Sequence, residues 1–198
     1  IGDKMRIITG KYRGRKLETP FGNEIRPTSD KVKESIFNIL MCDIEDAVCV
    51  DLFAGTGNLG LEALSRGASK CWFCDNERNS VDIIKRNIKY CKAENESIVL
   101  AGDYKKALKR IDEKVDIVFL DPPYHDGLYE KAIEQIDMLD LLTDVGIIVA
   151  EHEKMTDLPE HIGGLKLFKH KKYGKICLSL YKRADSDDFF DDEEKISD

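Results

Sequence analysis

Two short motifs in this chain of 198 residues combine residue types that could do chemistry. The first, Asp51-Leu52-Phe53-Ala54-Gly55-Thr56-Gly57-Asn58-Leu59-Gly60, runs from an acidic residue into a glycine-rich turn. The second, Asp121-Pro122-Pro123-Tyr124, directly follows the apolar run from Val115 to Leu120. Together they predict a nucleotide-like cofactor held beside a platform for a planar substrate that carries an amine.

The glycines of the first motif match the dinucleotide fingerprint G-x-G-x-x-G by spacing, and Asp75 stands twenty residues after Gly55. Taken alone, this pattern would favour NAD. Asp51 argues otherwise, because it ends a strand four residues before the first glycine, where a carboxylate can meet the positively charged amino group of a methionine moiety. The second motif has no role in hydride transfer, which also disfavours NAD.

Further candidate cofactor ligands follow the next two predicted strands. Asp75 is placed to hold ribose hydroxyls through both carboxylate oxygens, and Asp103 is placed to meet an adenine amine. The carboxyl edge of a parallel sheet is where ligands bind, although Asp103 could instead cap a helix. The predicted cofactor-binding residues are Asp51, Phe53, Ala54, Gly55, Thr56, Gly57, Gly60, Asp75, Asn76, Asp103 and Tyr104.

The second motif supplies groups that could activate a base amine. Such an amine is a poor nucleophile, because its lone pair is delocalised into the ring. The Asp121 carboxylate and the Pro122 carbonyl can accept its two N–H bonds and aim the lone pair at a methyl sulfonium, and the prolines stiffen the loop. Tyr124 offers a face for an extruded base, which contributes roughly 1–3 kcal/mol. We predict that Asp121, Pro122 and Tyr124 are catalytic; the alternative is a proline loop that merely ends a strand.

The N-terminal segment is basic although the chain carries a net charge of −7. The acidic excess lies between Ala184 and Asp198, with eight acidic residues and one lysine, which we interpret as a solvated tail. Cations between Met5 and Glu18 form what we take to be the densest cationic set, the footprint that a phosphate backbone selects. The alternative is a solvated hairpin surface. The predicted RNA-binding residues are Arg6, Lys11, Arg13, Arg15, Lys16 and Arg26.

Neither the six cysteines nor the four histidines indicate a metal or redox site. Cys71 and Cys74 form a C-x-x-C, but residues three apart on a strand point to opposite faces, and no second pair follows at zinc spacing. We expect buried free thiols in a reducing cytoplasm. The histidines at positions 152, 161 and 170 are nine apart, which aligns them on neither a helix nor a strand. No run of about eighteen apolar residues predicts a membrane span.

The elements around these motifs alternate between strand and helix from Ala47 onward, which predicts a parallel sheet covered on both faces. The predicted strands are Ala47–Asp51, Lys70–Cys74, Ser97–Ala101, Val115–Leu120, Gly146–Glu151, Leu165–Lys171 and Ile176–Lys182. The last two are joined by Tyr173-Gly174-Lys175 as an antiparallel hairpin. The predicted helices start near residues 28, 59, 81, 104 and 129. Short runs around Gly10 and Gly14 predict a small N-terminal hairpin.

This arrangement is the α/β, Rossmann-like class I methyltransferase fold, with a mostly parallel seven-stranded sheet that ends in an antiparallel hairpin. We expect one domain over residues 5–183, with residues 5–40 as an RNA-binding extension and residues 184–198 as the tail. We also expect a monomer.

Met5 to Lys182 resembles the bacterial small-subunit ribosomal RNA guanine-N2 methyltransferase family, the RsmD type. The most specific segments are Arg6-Ile7-Ile8-Thr9-Gly10, Arg13-Gly14-Arg15-Lys16-Leu17, Arg26-Pro27-Thr28 and the helix from Asp30 to Leu40. The resemblance implies S-adenosylmethionine as methyl donor and the N2 amine of guanine 966 in 16S rRNA as acceptor. The chain departs from the family at Asp75, where a glutamate is more common, and at Lys31 and Lys33, where arginines are common.

Two alternatives remain beside this function. An N6-adenine DNA methyltransferase could use the same tetrapeptide, but the chain lacks room for a separate DNA target-recognition domain. A non-catalytic rRNA-binding assembly factor is disfavoured because Asp51, Asp121 and Tyr124 are intact. Free 16S rRNA, an assembly intermediate and the small ribosomal subunit all stay open as the partner.

Overall fold

A computed structural model describes residues 5–20, 30–122 and 127–185 of the chain. Four parts of the predictions lie outside the described residues. They are Arg26, the start of the first helix near residue 28, Tyr124, and the acidic tail from residue 186. The helices are α1 (Asp30–Ile39), α2 (Asn58–Ser65), α3 (Arg78–Cys91), α4 (Tyr104–Leu108) and α5 (Leu128–Met138). The strands are β1 (Val48–Asp51), β2 (Lys70–Asp75), β3 (Ser97–Ala101), β4 (Val115–Leu120), β5 (Leu142–Glu153), β6 (His161–Ile162), β7 (Leu165–Tyr173) and β8 (Ile176–Arg183).

These strands form one sheet in the order β3-β2-β1-β4-β5-β8-β7-β6. Strands β1 to β5 are mutually parallel, and β8 pairs antiparallel with both β5 and β7. The expected α/β class I methyltransferase sheet with its antiparallel end is therefore confirmed. The strand order reverses between β1 and β4, and such a switch point leaves a crevice at the carboxyl ends of the strands.

The sheet differs from the prediction at two places. The expected count of seven strands is wrong for the described residues, because the two-residue strand β6 pairs with Leu165 and Lys166 at the edge. Strand β5 begins at Leu142 and not at Gly146, since Leu142 already pairs with Val115 before a register shift in β4. The β5 difference comes from a partner distant in sequence, which a local apolar pattern does not contain, whereas β6 forms a local hairpin with β7 around Gly163-Gly164 that the prediction did not include.

Two apolar layers cover the sheet, one on each face. Helices α2 and α3 pack on one face together with α1, while α4 and α5 pack on the other. Alternation along β2 divides the C-x-x-C pair: Cys71 belongs to the first layer and Cys74 to the second. The prediction that these two thiols point to opposite faces is confirmed. All six cysteines are free, and all are buried except the exposed Cys42.

The predicted N-terminal hairpin is present as a short antiparallel pairing, in which the Ile7 N–H donates to the Arg15 carbonyl and the Leu17 N–H to the Met5 carbonyl, both at 2.9 Å, around a bridge between Arg6 and Lys16. The backbone N–H groups of Ile8 and Thr9, which follow this pairing, donate to the Glu62 carboxylate on α2 at 2.8 and 3.0 Å. We call residues 5–18 the arm. The arm is thus attached to a helix as much as to itself.

A buried ion pair holds the arm, α1 and α2 together. Lys33 Nζ lies 3.2 Å from the Glu62 carboxylate, and both side chains are almost completely buried. The same ammonium donates to the Arg6 carbonyl and to Asn58 Oδ1 at the start of α2. Burial lowers the pKa of Lys33, and the Glu62 carboxylate opposes that shift. Removing one partner of such a pair would leave an uncompensated buried charge.

No described helix is both long and apolar enough to cross a membrane.

Candidate active site

The first motif begins at the carboxyl end of β1, where Asp51 is buried. Its Oδ2 accepts a hydrogen bond from the backbone N–H of Gly60 at 2.9 Å. The pKa of Asp51 is raised to about 7, mainly by burial and in smaller part by the nearby Asp75 carboxylate, while the Gly60 hydrogen bond opposes the shift. The carboxylate therefore organises the first turn of α2, and its charge would be favoured by a cation bound in the crevice.

The glycine-rich turn adopts backbone conformations that suit glycine. Gly55 and Gly57 have φ values of 56° and 77°, in the left-handed region. A Cβ on Gly55 would meet no atom within 4 Å, so a ligand can approach this backbone closely. Gly60 differs, because its Cβ would lie 2.4 Å from Phe73 Cε1. Gly60 lets α2 pack on the sheet and holds Asp51, so it supports the loop from inside the core.

Asp75 ends β2 and holds the turn in place. Its Oδ2 accepts from the Gly55 N–H at 2.8 Å, and its Oδ1 accepts from the Glu77 N–H at 2.9 Å. Burial raises the pKa of Asp75, while both backbone hydrogen bonds lower it. Each carboxylate oxygen can accept a further bond. Contact with ribose stays a prediction; the structure adds that Asp75 shapes the loop, and Asn76 follows it as an exposed residue.

The helix-capping alternative for Asp103 is confirmed, since its Oδ1 accepts from the Lys105 N–H at 3.0 Å at the start of α4. The next residue, Tyr104, packs against Phe53 of the loop, with 5.6 Å between ring centroids. Tyr104 Oη is buried and has no hydrogen-bond partner among the described residues. A buried hydroxyl normally has a partner. This aromatic pair therefore offers both a surface and a polar group to a ligand.

The second motif leaves β4 beside the first. Asp51 pairs with Phe119, two residues before Asp121, so the two motifs end adjacent parallel strands. Asp121 is half-buried and Pro122 is buried. Burial raises the pKa of Tyr129 on α5, and the Asp121 charge adds to that shift. The structure thus brings Asp121 and Pro122 to the strand end next to the glycine-rich turn, whereas Pro123 and Tyr124 lie outside the described residues.

The cations of the arm are exposed or half-buried, and three of them have partners. Arg6 pairs with Asp30 at 3.0 Å, Lys11 with Glu96 at 3.1 Å, and Arg15 donates to the Tyr90 carbonyl at 2.9 Å. Arg13 and Lys16 are exposed and make no hydrogen bond or ion pair with the described residues.

The tip of the arm contacts Ser65, at the end of α2 remote from the glycine loop, where Lys11 donates its backbone N–H to the Ser65 carbonyl at 2.8 Å. The Lys11 partner, Glu96, directly precedes β3. The tip therefore lies toward the amino edge of the sheet, opposite to the edge that carries Asp51 and Asp121.

Comparison with known proteins fits these features. A family model described as "Conserved hypothetical protein 95" matches residues 5–182. The chain belongs to this family, the RsmD type of methyltransferase. It is 37% identical over 183 residues to Ribosomal RNA small subunit methyltransferase D of Escherichia coli strain K12, covering 91% of this chain and 90% of that protein. It is also 37% identical over 182 residues to YlbH of Bacillus subtilis strain 168, covering 90% and 99% respectively.

A solved structure of the Escherichia coli protein yhhF superposes on this chain with a TM-score of 0.82 and 34% identity. The superposition covers 92% of this chain and 99% of that one. Family membership and fold thus extend over almost the whole of the described chain, including the arm, the glycine loop and the β7–β8 hairpin.

Sequence reasoning missed Asn87, a buried residue of α3. Its side-chain amide donates to the Thr56 carbonyl at 2.9 Å and to the Glu18 carbonyl at 3.0 Å, and its Oδ1 accepts from the Glu18 N–H at 2.8 Å. A signal was present, since Asn87 is a polar residue on the apolar stripe that contains Ile84 and Ile88. A cavity of about 460 Å³ beside it is lined by Met5, Lys16, Leu17, Glu18, Thr19, Arg86, Asn87 and Tyr90.

The structure also brings together two histidines that their spacing did not align. His152 Nε2 on β5 and His170 Nδ1 on β7 lie 2.8 and 3.0 Å from Ser179 Oγ on the intervening β8. Burial lowers the pKa of His152. Within the described residues, no group of three His, Cys, Asp or Glu side chains could hold a metal ion. The two histidines therefore link strands.

Proposed function

We propose that this protein transfers a methyl group from S-adenosylmethionine to the exocyclic N2 amine of a guanine in 16S rRNA, at guanine 966 in the usual rRNA numbering. The observation that carries the proposal is the adjacency of the two motifs: Asp121 and Pro122 leave β4 beside the glycine loop that follows β1. The relatives named as small-subunit rRNA methyltransferases support the nucleic-acid substrate.

The residues at the crevice fit S-adenosylmethionine. The Tyr104 hydroxyl is buried without a partner in the described chain, and the Gly55 backbone is open to a ligand. Asp51 would favour the positively charged amino group of the methionine part, and Asp75 would accept from the ribose. Phe53 and Tyr104 would contact the adenine. When bound, the cofactor supplies an electrophilic methyl group attached to a sulfonium.

The protein's own task in this reaction is to orient the guanine amine. The Asp121 carboxylate and the Pro122 carbonyl would each accept one N–H bond, so that the nitrogen lone pair points toward the cofactor site. Pro122 fixes its own φ, which lowers the conformational freedom that its carbonyl loses when it orients the amine. Tyr124 would stack on the base after it leaves the RNA helix.

We further propose that residues 5–183 act as a single methyltransferase domain in which residues 5–40 contribute to RNA binding. The exposed Arg13 and Lys16 are the arm residues best suited to phosphate, because no described side chain competes for them. Arg15 also supports the arm through its bond to the Tyr90 carbonyl, so its loss would combine two effects.

Nucleoside mass spectrometry of small-subunit rRNA from cells with and without this protein tests the proposal. We expect the N2-methylguanosine content of the rRNA to fall without the protein and to be restored by the unaltered chain but not by Asp121→Ala. Unchanged N2-methylguanosine in the deleted strain would contradict the proposal. Loss of N6-methyladenine from DNA would instead support the DNA methyltransferase.

A further inference from the structure

The β7–β8 hairpin is more cationic than the arm. Residues 165–183 contain seven Lys and Arg residues and no Asp or Glu. The arm contains five cations together with Glu18. The hairpin therefore carries more cations and a larger net positive charge than the arm, at a similar density along the chain. The sequence already contained this charge, but its two strands were interpreted only as sheet elements.

Four lysines of the hairpin are exposed and have no side-chain partner in the part of the chain that the structure describes. Within the described residues no hydrogen bond or ion pair engages the side chains of Lys169, Lys171, Lys172 and Lys175. Arg183, by contrast, pairs with Asp140, and Lys182 lies over the Phe168 ring at 5.8 Å. Like charges close together on one hairpin repel each other. Folding alone therefore gives no reason for this group of lysines.

Protection of a sheet edge is the main alternative explanation. Strand β6 pairs only with Leu165 and Lys166, so within the described residues the rest of β7 is an edge. Lysines on edge strands discourage pairing with other chains. Edge protection does not account for Lys175, which lies in the turn beyond β7. Acidic side chains would also protect the edge, so edge protection does not explain why all four charges are positive.

Strand register places the lysines at the same edge of the sheet as the second motif. Leu120 pairs with Ala150, Ala150 with Ser179, and Ser179 with His170, which forms one row across β4, β5, β8 and β7. Strand β7 runs in the same direction as β4. Lys171 and Lys172, which follow His170, therefore lie on the same side of this row as Asp121 and Pro122, which follow Leu120. Three strand spacings separate them, or about 14 Å.

The hairpin is also held firmly against the rest of the sheet. Ser179 Oγ contacts both His152 and His170, which connects β8 to its two neighbours through side chains as well as backbone. At the tip, the Tyr173 hydroxyl hydrogen-bonds to Ser35 of α1. A rigid cationic surface at the site edge suits a polyanion that must be held in one position.

We propose that Lys169, Lys171, Lys172 and Lys175 bind the phosphodiester backbone of the rRNA on one side of the target guanine. This inference rests on the proposed function. The hairpin binds RNA at the edge of the sheet where methyl transfer takes place, while the tip of the arm contacts RNA at the opposite edge. Each lysine–phosphate contact contributes about 0.7 to the slope of log affinity against log salt for single-stranded RNA.

The test compares two double variants with the same change in net charge. The first is Lys171→Glu with Lys172→Glu on the hairpin. The control is Lys106→Glu with Lys109→Glu, two exposed lysines on and after α4, on the other face from the arm. Glutamates preserve charge on the β7 edge, so edge protection is retained. Filter binding of an unmethylated 16S rRNA transcript is measured across a salt series, beside methyl transfer and S-adenosylmethionine calorimetry.

We expect the hairpin variant to bind the transcript at least tenfold more weakly at 0.1 M salt, with a salt slope reduced by about 1.4. Cofactor affinity should be unchanged, and the control should bind the transcript within about twofold of the unaltered protein. Equal loss in both variants would overturn the hairpin proposal, because global charge would explain it. So would unchanged binding in both while the unaltered protein still methylates the transcript.

The two proposals fail in different ways. An unaltered protein that binds S-adenosylmethionine but neither binds nor methylates the transcript or the small subunit would overturn the proposed function and the hairpin proposal together. Because the charge reversals could disturb folding, the variant Lys171→Gln with Lys172→Gln is measured in parallel. It should show the same reduced slope with a smaller loss of affinity, and an unreduced slope in this variant would overturn the hairpin proposal.

Discussion

Asn87 on α3 donates a hydrogen bond from its side-chain amide to the Thr56 carbonyl of the glycine loop, at 2.9 Å. The same side chain makes two hydrogen bonds to the backbone of Glu18, at the end of the arm. One buried amide thus connects the loop expected to hold the cofactor with the segment expected to contact RNA. A substitution at Asn87 should therefore affect both the glycine loop and the arm.

The variant Asn87→Asp keeps the acceptor for the Glu18 N–H but replaces the NH2 group, which makes both donated hydrogen bonds, with one carboxylate oxygen that faces two carbonyls. We expect the free energy of unfolding to fall by about 1–3 kcal/mol and the affinity for S-adenosylmethionine to fall with it. Urea denaturation and calorimetry measure the two effects. Asn79→Asp, at an exposed position of the same helix, should change neither quantity. Equal losses in both variants would show that charge on α3, and not the bridge, is responsible.

The arm can be displaced by a single methyl group at Gly10. A Cβ there would lie 1.7 Å from the Ser65 carbonyl oxygen, so Gly10→Ala cannot be accommodated without moving the arm away from α2. Gly14→Ala is a matched control, because Gly14 has a similar φ of +81° but no atom within 4 Å of its Cβ. Both variants carry the same backbone strain, and they differ only in the clash.

We therefore expect Gly10→Ala to weaken rRNA binding several-fold more than Gly14→Ala does, with cofactor affinity reduced less than RNA affinity. Filter binding and calorimetry on the two variants provide the comparison. Indistinguishable RNA affinities would mean that docking of the arm tip on Ser65 is irrelevant to RNA binding.

Asp51 should make the free protein less stable as the pH rises. Its folded-state pKa is raised from 3.8 to about 7, so the folded state holds this proton more tightly than the unfolded chain. The stabilising contribution is present below pH 4 and is lost between about pH 4 and pH 7. At pH 8, Asp51→Asn should raise the free energy of unfolding by about 1–3 kcal/mol, since the amide keeps an acceptor for Gly60 and carries no buried charge.

The same variant should bind S-adenosylmethionine more weakly, because the negative charge opposite the amino group is gone. Denaturation at pH 4.5 and pH 8 with calorimetry at pH 8 measures both effects. The stability difference between Asp51→Asn and the unaltered protein should shrink toward pH 4.5. A difference independent of pH would assign the effect to packing.

Asp75→Ala and Asp121→Ala should separate binding from turnover. Asp75→Ala removes the acceptor for the Gly55 and Glu77 N–H groups and the expected ribose contact, which should cost about 1.5–3 kcal/mol of cofactor affinity. Asp121→Ala should leave cofactor affinity intact while methyl transfer to rRNA collapses. Calorimetry beside single-turnover transfer measures the two. Near-normal turnover in Asp121→Ala would refute the proposed orientation of the amine.

Much of the fold was predictable because its signals are local. Apolar runs from Ser97 to Ala101 and from Val115 to Leu120 became strands with those bounds. The glycine pattern after Asp51 indicated a ligand loop, since two of its glycines need a left-handed backbone. Side-chain alternation placed Cys71 and Cys74 on opposite faces before any contact was known. Each of these inferences uses only neighbours along the chain.

What only the tertiary structure decided is which distant groups meet. Asp75 accepts from Gly55, Glu62 accepts from the backbone of the arm, and Asn87 joins Thr56 to Glu18. A sequence states that a residue is polar or charged, but its partner depends on strand order and helix placement. The same holds for the hairpin lysines: their charge is visible in the sequence, whereas their position at the same sheet edge as Asp121 follows from the register of four paired strands.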